Sequence, residues 1–141
     1  MTLFQLCNNY QDLSQEFSID VAKAGKLIEK AGYKEYVPKR VRTICNKACA
    51  VDPARRYQSI EELRQAMERL RVAQDWHIQA DLQWKAKIGT QLHEMVTDGN
   101  GPVTCVYLVN QRRKNANCTV VSNVDEARLH HYRWVANNTL S

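Results

Sequence analysis

The apolar positions change period partway along the chain. Before residue 72 they recur three and four residues apart, the spacing of amphipathic helices. Val21, Ala24, Leu27, Ile28 and Ala31 share one face of a helix expected over 18–31, with Ser18 as its cap and Gly32 as its stop. Pro38 suits a first helical position, because its missing N–H would have no partner there. The helix it opens, 39–50, carries Val41, Ile44, Cys45, Ala48 and Cys49 as a buried stripe and turns Lys39, Arg40, Arg42 and Lys47 mostly to water. Pro53 ends that helix in the turn "DPARRY". Ser59 and Glu62 then form an S-x-x-E capping box, and Ile60, Leu63, Met67 and Leu70 mark the face of a third helix over 60–71.

Beyond Val72 the texture is different. Segment 73–88, with Trp76, Ile78, Leu82 and Trp84, reads either as the third helix running on or as a linker with anchoring aromatics. "QLHEMV" (91–96) suggests a short strand and "GNGP" (99–102) a turn. "VTCVYLV" (103–109) is rich in β-branched and aromatic residues and predicts a buried strand. A polar loop, 110–117, leads to a partner strand at "CTVVS" (118–122), making a hairpin. Asn123 caps a last helix with Asp125 and Glu126 in its first turn and Val124, Ala127, Leu129, Tyr132, Val135 and Ala136 on its apolar face. The expected class is α+β: a helical segment over 1–72, a connection over 73–88, and a small ββα or βββα domain over 89–141 with an antiparallel sheet.

Composition narrows the classes. The 141 residues are 44% hydrophobic and 25% charged, a globular balance. No apolar run reaches the roughly 18–20 residues of a membrane span, so no membrane partner is expected. "MTLFQLCNNYQDL" lacks the basic start of a secretory signal. Five cysteines at irregular spacings suggest free thiols, and the cytoplasm is the expected compartment. The net charge of +5 is uneven: residues 1–72 hold 13 Lys/Arg against 9 Asp/Glu, residues 73–141 hold 7 against 6.

The stretch "YVPKRVRTICNKACAVDPARRYQSIEELRQAMERL" (36–70) resembles the end of the C-lobe of a Ser/Thr protein kinase of the bacterial type. The family pattern is a proline, an apolar helix ending in small residues, D-P-x-x-R-[YF]-x-[ST], and a helix rich in E-E-L. Here these positions are Pro38, helix 39–50, Asp52-Pro53-Ala54-Arg55-Arg56-Tyr57-Gln58-Ser59, and helix 60–71 with Glu62. The resemblance would make 18–31, 39–50 and 60–71 the kinase helices G, H and I, and "MTLFQLCNN" the end of helix F. It covers about half the chain. The Gly-rich loop, strand lysine, H-R-D-type loop, D-F-G and A-P-E motifs do not occur in the sequence. Phosphoryl transfer depends on those parts. The resemblance therefore implies a non-catalytic C-terminal fragment that needs no cofactor and acts by protein–protein interaction, as a regulatory or immunity-like partner or a substrate-docking end. An alternative is a portion of an active kinase parent. With little of helix F present, the inner faces of the helices (Leu27, Ile28, Ile44, Cys45, Leu63, Met67) are expected to lack a cover and to favour self-association or a partner.

Individual residues carry further expectations. In the family, the arginine at Arg56 pairs with the glutamate of A-P-E. Without that glutamate, Arg56 either reaches solvent or meets another carboxylate, in cis or from a partner. Cys45 and Cys49, at i and i+4, fit core packing better than metal binding, and His130-His131 has no cysteine motif close in sequence, so no metal is expected. Cys105 and Cys118 face each other across the expected hairpin as thiols. Arg112, Arg113 and Lys114 at its tip are either a solubilising loop or, as the competing function, contacts of a nucleic-acid-binding βββα module on a helical stalk.

Overall fold

A computed structural model of the chain describes residues 2–14, 17–99 and 102–141, with the backbone alone at Thr2. Its contacts divide the chain into two units, Met1–Arg71 and Val72–Ser141.

The first unit holds five helices: α1 (Thr2–Asn8), α2 (Ile19–Lys23), α3 (Leu27–Ala31), α4 (Lys39–Ala48) and α5 (Ile60–Glu68). The single helix expected over 18–31 is thus two. Gly25 separates them at φ +69°, a left-handed conformation that glycine adopts without steric cost. A Cβ there would lie 2.0 Å from Val51 Cγ2, so glycine also allows the close approach of the turn after α4. Ser18 has the extended backbone of a cap, but its hydroxyl makes no capping bond. Gly32 does end α3, at φ +70°. Pro38 is the cap residue just outside α4 rather than its first residue.

Phe4 of α1 is fully buried against Leu13 and Leu27, with Tyr10, Phe17, Val21, Ile28, Tyr33 and Cys49 around them. Asn8, one turn on, is buried as well. Its Nδ2 donates to the Phe4 carbonyl at 2.8 Å, its Oδ1 accepts from Lys34 N–H at 2.7 Å, and its carbonyl accepts from the Tyr36 hydroxyl at 2.9 Å. The inner faces expected to lie open are therefore mostly covered. Leu27, Ile44 and Cys45 are buried, Ile28 and Leu63 half-buried, and Met67 alone of that group stays exposed.

At the start of α5, Ser59 Oγ accepts from Glu62 N–H at 3.1 Å. The Glu62 carboxylate returns to the Gln58 N–H at 3.0 Å, one residue before the N–H that a capping box uses. Ser59→Ala removes the acceptor and is expected to cost about 0.5–2 kcal/mol, whereas Ser59→Asp keeps an acceptor and suits the helix dipole. Urea denaturation of the three proteins checks this. Coincident midpoints would mean that Ser59 does not hold the first turn.

The second unit is a sheet crossed by one helix. Its strands are β1 (Trp76–Ala80), β2 (Gln83–Ile88), β3 (Gln91–Asp98), β4 (Val103–Val109), β5 (Arg112–Arg113) and β6 (Thr119–Val121), followed by α6 (Val124–Asn138). Strands β1 to β4 form an antiparallel meander, and both β5 and β6 pair with β4. Segment 73–88 is thus neither a helix extension nor a linker: it supplies two strands, joined by a tight turn with Leu82 at φ +61°. The sheet is larger than the two or three strands expected. Arg112 and Arg113 sit on a strand and not in a loop, because Asn110 and Gln111, at φ +48° and +65°, already close a two-residue turn. Of the expected "GNGP" turn, Asn100 and Gly101 lie outside the described residues, and Gly99 has φ +105°.

The register places Trp76, Trp84, Ala86, Met95, Cys105 and Tyr107 on one face of the sheet. Helix α6 covers it. The buried positions of α6 are Ala127, His131 and Val135, four residues apart, while Val124 of the expected apolar face is exposed. Among the described residues, no helix is long and apolar enough to cross a membrane.

Candidate functional site

Two clusters stand out, one in each unit. The first is built on the turn between α4 and α5. Asp52 opens it by accepting from Ala54 N–H at 2.9 Å, with Pro53 next in a short 3-10 turn. This bends the chain so that Arg56 turns back on it. Arg56 Nε donates to the Ala50 carbonyl at 2.7 Å and Nη2 to the Val51 carbonyl at 3.2 Å. Among the described residues, no carboxylate lies within ion-pair distance of this guanidinium. Tyr57 is half-buried, with the Lys47 ammonium 4.3 Å from its ring centre, a cation–π arrangement. Ser59 and Glu62 serve the helix cap described above. The structure therefore gathers all six of these sequence-predicted residues around one turn.

Beside the turn lies a cleft of about 330 Å³. Leu27, Cys49 and Val51 give it apolar walls, and Lys23 and Arg56 are its charged groups. Such a cleft can take an apolar side chain with a carboxylate beside it. Elsewhere in the unit, the Cys45 thiol donates to Cys7 Sγ at 3.8 Å. That bond pulls the Cys7 thiol down to about 7, against the smaller opposing effect of burial. Cys49 thus packs against the core around Phe4, and the buried Cys45 is turned to Cys7.

The second cluster was not legible as a site in the sequence. Cys105 of β4 meets His130 and His131 of α6, and their ligand atoms all lie within 4.8 Å of one another. His131 is 1% exposed. Both its ring nitrogens, and Nδ1 of His130, are buried without a hydrogen-bond partner. Burial, and then the neighbouring His130, push the His131 pKa down to about 4, and burial lowers that of His130. Burial, and then Cys118, push the Cys105 thiol up. Both shifts favour the neutral imidazoles. The sequence signal was the 127–131–135 spacing, which puts His131 on the buried seam of α6. Cys118 does not pair with Cys105: Thr119 stands opposite Cys105, while Cys118 Sγ accepts from Tyr107 N–H and donates to the Lys114 carbonyl.

Arg112, Arg113 and Lys114 are exposed, as expected. No tryptophan of this unit offers an open face near them: Trp76 and Trp84 are buried and Trp134 is half-buried. No protein-family model, no curated protein and no solved structure matches the chain.

Proposed function

We propose that the chain is a non-catalytic protein-interaction element, and that its helical unit docks a carboxylate-bearing apolar segment of a partner protein in the cleft beside Arg56. The observation that carries this reading is the state of Arg56. Its guanidinium is held in place by two backbone carbonyls and, among the described residues, meets no carboxylate, next to Lys23 and an apolar wall. A guanidinium fixed this way is oriented before the ligand arrives, so less freedom is lost on binding. The excess of Lys/Arg over Asp/Glu in residues 1–72 complements an acidic ligand. The resemblance of 36–70 to a kinase C-lobe points the same way, since the family fills this place with the glutamate of A-P-E. The nucleic-acid reading draws less support, from three exposed cations on a unit of net charge +1 with two of its three tryptophans buried.

The test uses a fluorescent peptide, acetyl-Ala-Ala-Pro-Glu-Leu, and its Gln counterpart. The Glu peptide is expected to bind the full chain, and the Gln peptide or the Arg56→Ala variant to weaken binding about 10- to 100-fold, the worth of a charge-assisted hydrogen bond. Equal affinity for the two peptides, or no binding of either, would overturn the reading.

A further inference from the structure

We propose that Cys105, His130 and His131 form a zinc-binding site in the second unit, between strand β4 and helix α6. Convergence is the first argument. A point central to three atoms no more than 4.8 Å apart lies within about 2.8 Å of each, and zinc bonds are about 2.0–2.3 Å, so a side-chain adjustment of less than about 1 Å completes the geometry. The donors come from two elements already locked together, since Ala127 of α6 packs against Val103 and Cys105 of β4. A site on rigid elements of this kind holds its geometry.

The second argument is the state of the donor atoms. Both His131 ring nitrogens and Nδ1 of His130 have no hydrogen-bond partner, and a metal would take one nitrogen from each ring. A buried polar atom left so costs about 1–3 kcal/mol, and buried polar groups are nearly always satisfied. A water molecule does not solve the problem here. The cleft bounded by Met95, Tyr107, Asn117 and Trp134 around the three donors has no room for one. A cation fits where water does not, because its bonds are shorter than hydrogen bonds.

The third argument is chemical. One thiolate and two imidazoles are a donor set suited to zinc and ill suited to magnesium or calcium, which take oxygen. Binding converts the Cys105 thiol to thiolate. The thiol proton leaves to solvent, the sulfur lone pair and those of the two imidazoles go to the metal, and no electron is exchanged. Three protein donors leave a fourth position, and Asn117 lines the same cleft as the donors. The site and Arg56 belong to different units, and its presence does not depend on the docking reading.

Cobalt(II) is the probe, added to the full chain after removal of metal with a chelator and under a phosphine reductant. One equivalent is expected to give tetrahedral ligand-field bands and a sulfur-to-cobalt charge-transfer band, both bleached by zinc. Zinc should also raise the melting temperature, since a ligand of the folded state stabilises it. Cys105→Ala should lose the charge-transfer band. His130→Ala should weaken binding by more than about tenfold, because loss of a group that merely supports a ligand already costs that much. Cys7→Ala should leave the spectrum unchanged. Circular dichroism reports whether each variant folds, and if Cys105→Ala does not, the half-buried His130 decides the matter. No tetrahedral spectrum in the native chain, or a spectrum unchanged in a folded Cys105→Ala or in His130→Ala, overturns the proposal.

Discussion

Phe4→Ala is expected to destabilise the helical unit by about 3–5 kcal/mol, the usual cost of emptying a large aromatic site in a core. Phe4 has no exposed surface. Its ring meets the Tyr33 ring edge-on at 5.1 Å and the Tyr10 ring at 5.8 Å, so the loss includes aromatic contacts beyond area burial. Helix α1 has only seven residues, too few to hold itself by its own hydrogen bonds. It persists because Phe4 anchors it and because Asn8 bonds to Phe4 and Lys34. When the anchor goes, the Asn8 bonds lose their geometry as well. A small domain is stable by about 5–15 kcal/mol, so the variant should be largely unfolded at a urea concentration that leaves the native chain intact. Leu6→Ala is the control: Leu6 is on the same helix but 73% exposed, and its loss should stay within about 0.5 kcal/mol. If the two variants unfold at the same urea concentration, Phe4 is not the centre of this core.

The same contrast explains what the sequence revealed. Helices α4 and α5 were legible because their apolar stripes are unbroken and a proline or a serine cap stands at each start. The break between α2 and α3 was not, because the apolar positions keep their spacing across Gly25. The chain breaks there at Gly25, in the left-handed conformation, where Val51, far away in sequence, comes too close for any side chain. Strand β4 announced itself as a continuous apolar run. Strands β1 and β2 did not, because lysine, glutamine and histidine fill their outward positions. In "QWKAKI" the alternation of Trp84 and Ala86 with Lys85 and Lys87 is nonetheless there to be read. The turn residues around Arg56 were found from their order, but the carbonyls that hold the guanidinium depend on how the chain doubles back. The Cys105 cluster is the limiting case. Its members are on a strand and a helix, and only the packing of α6 on the sheet brings them together.

The largest effect expected in the second unit is that of Trp84→Ala, again about 3–5 kcal/mol. Trp84 is on β2, paired on both sides, and is 7% exposed. It stands opposite Met95 on β3, and its ring meets Tyr132 of α6 edge-on at 6.0 Å with the planes 87° apart. One side chain thus joins the middle of the sheet to the helix that covers it. Val120→Ala, on β6 and 64% exposed, should stay within about 0.5 kcal/mol and serves as the control. The part of the loss that belongs to the ring contact can be separated. Trp84→Leu and Tyr132→Leu keep apolar bulk while removing the edge-to-face pair, and the double variant closes a thermodynamic cycle. A coupling of about 0.5–1.5 kcal/mol is expected between them, the measured range for aromatic pairs. Guanidinium unfolding followed by far-ultraviolet circular dichroism gives all four stabilities. Zero coupling, with Trp84→Ala no more damaging than Val120→Ala, would mean that α6 does not rest on Trp84. The helix would then be held at other contacts, such as that of Tyr107 with Trp134 at 5.0 Å.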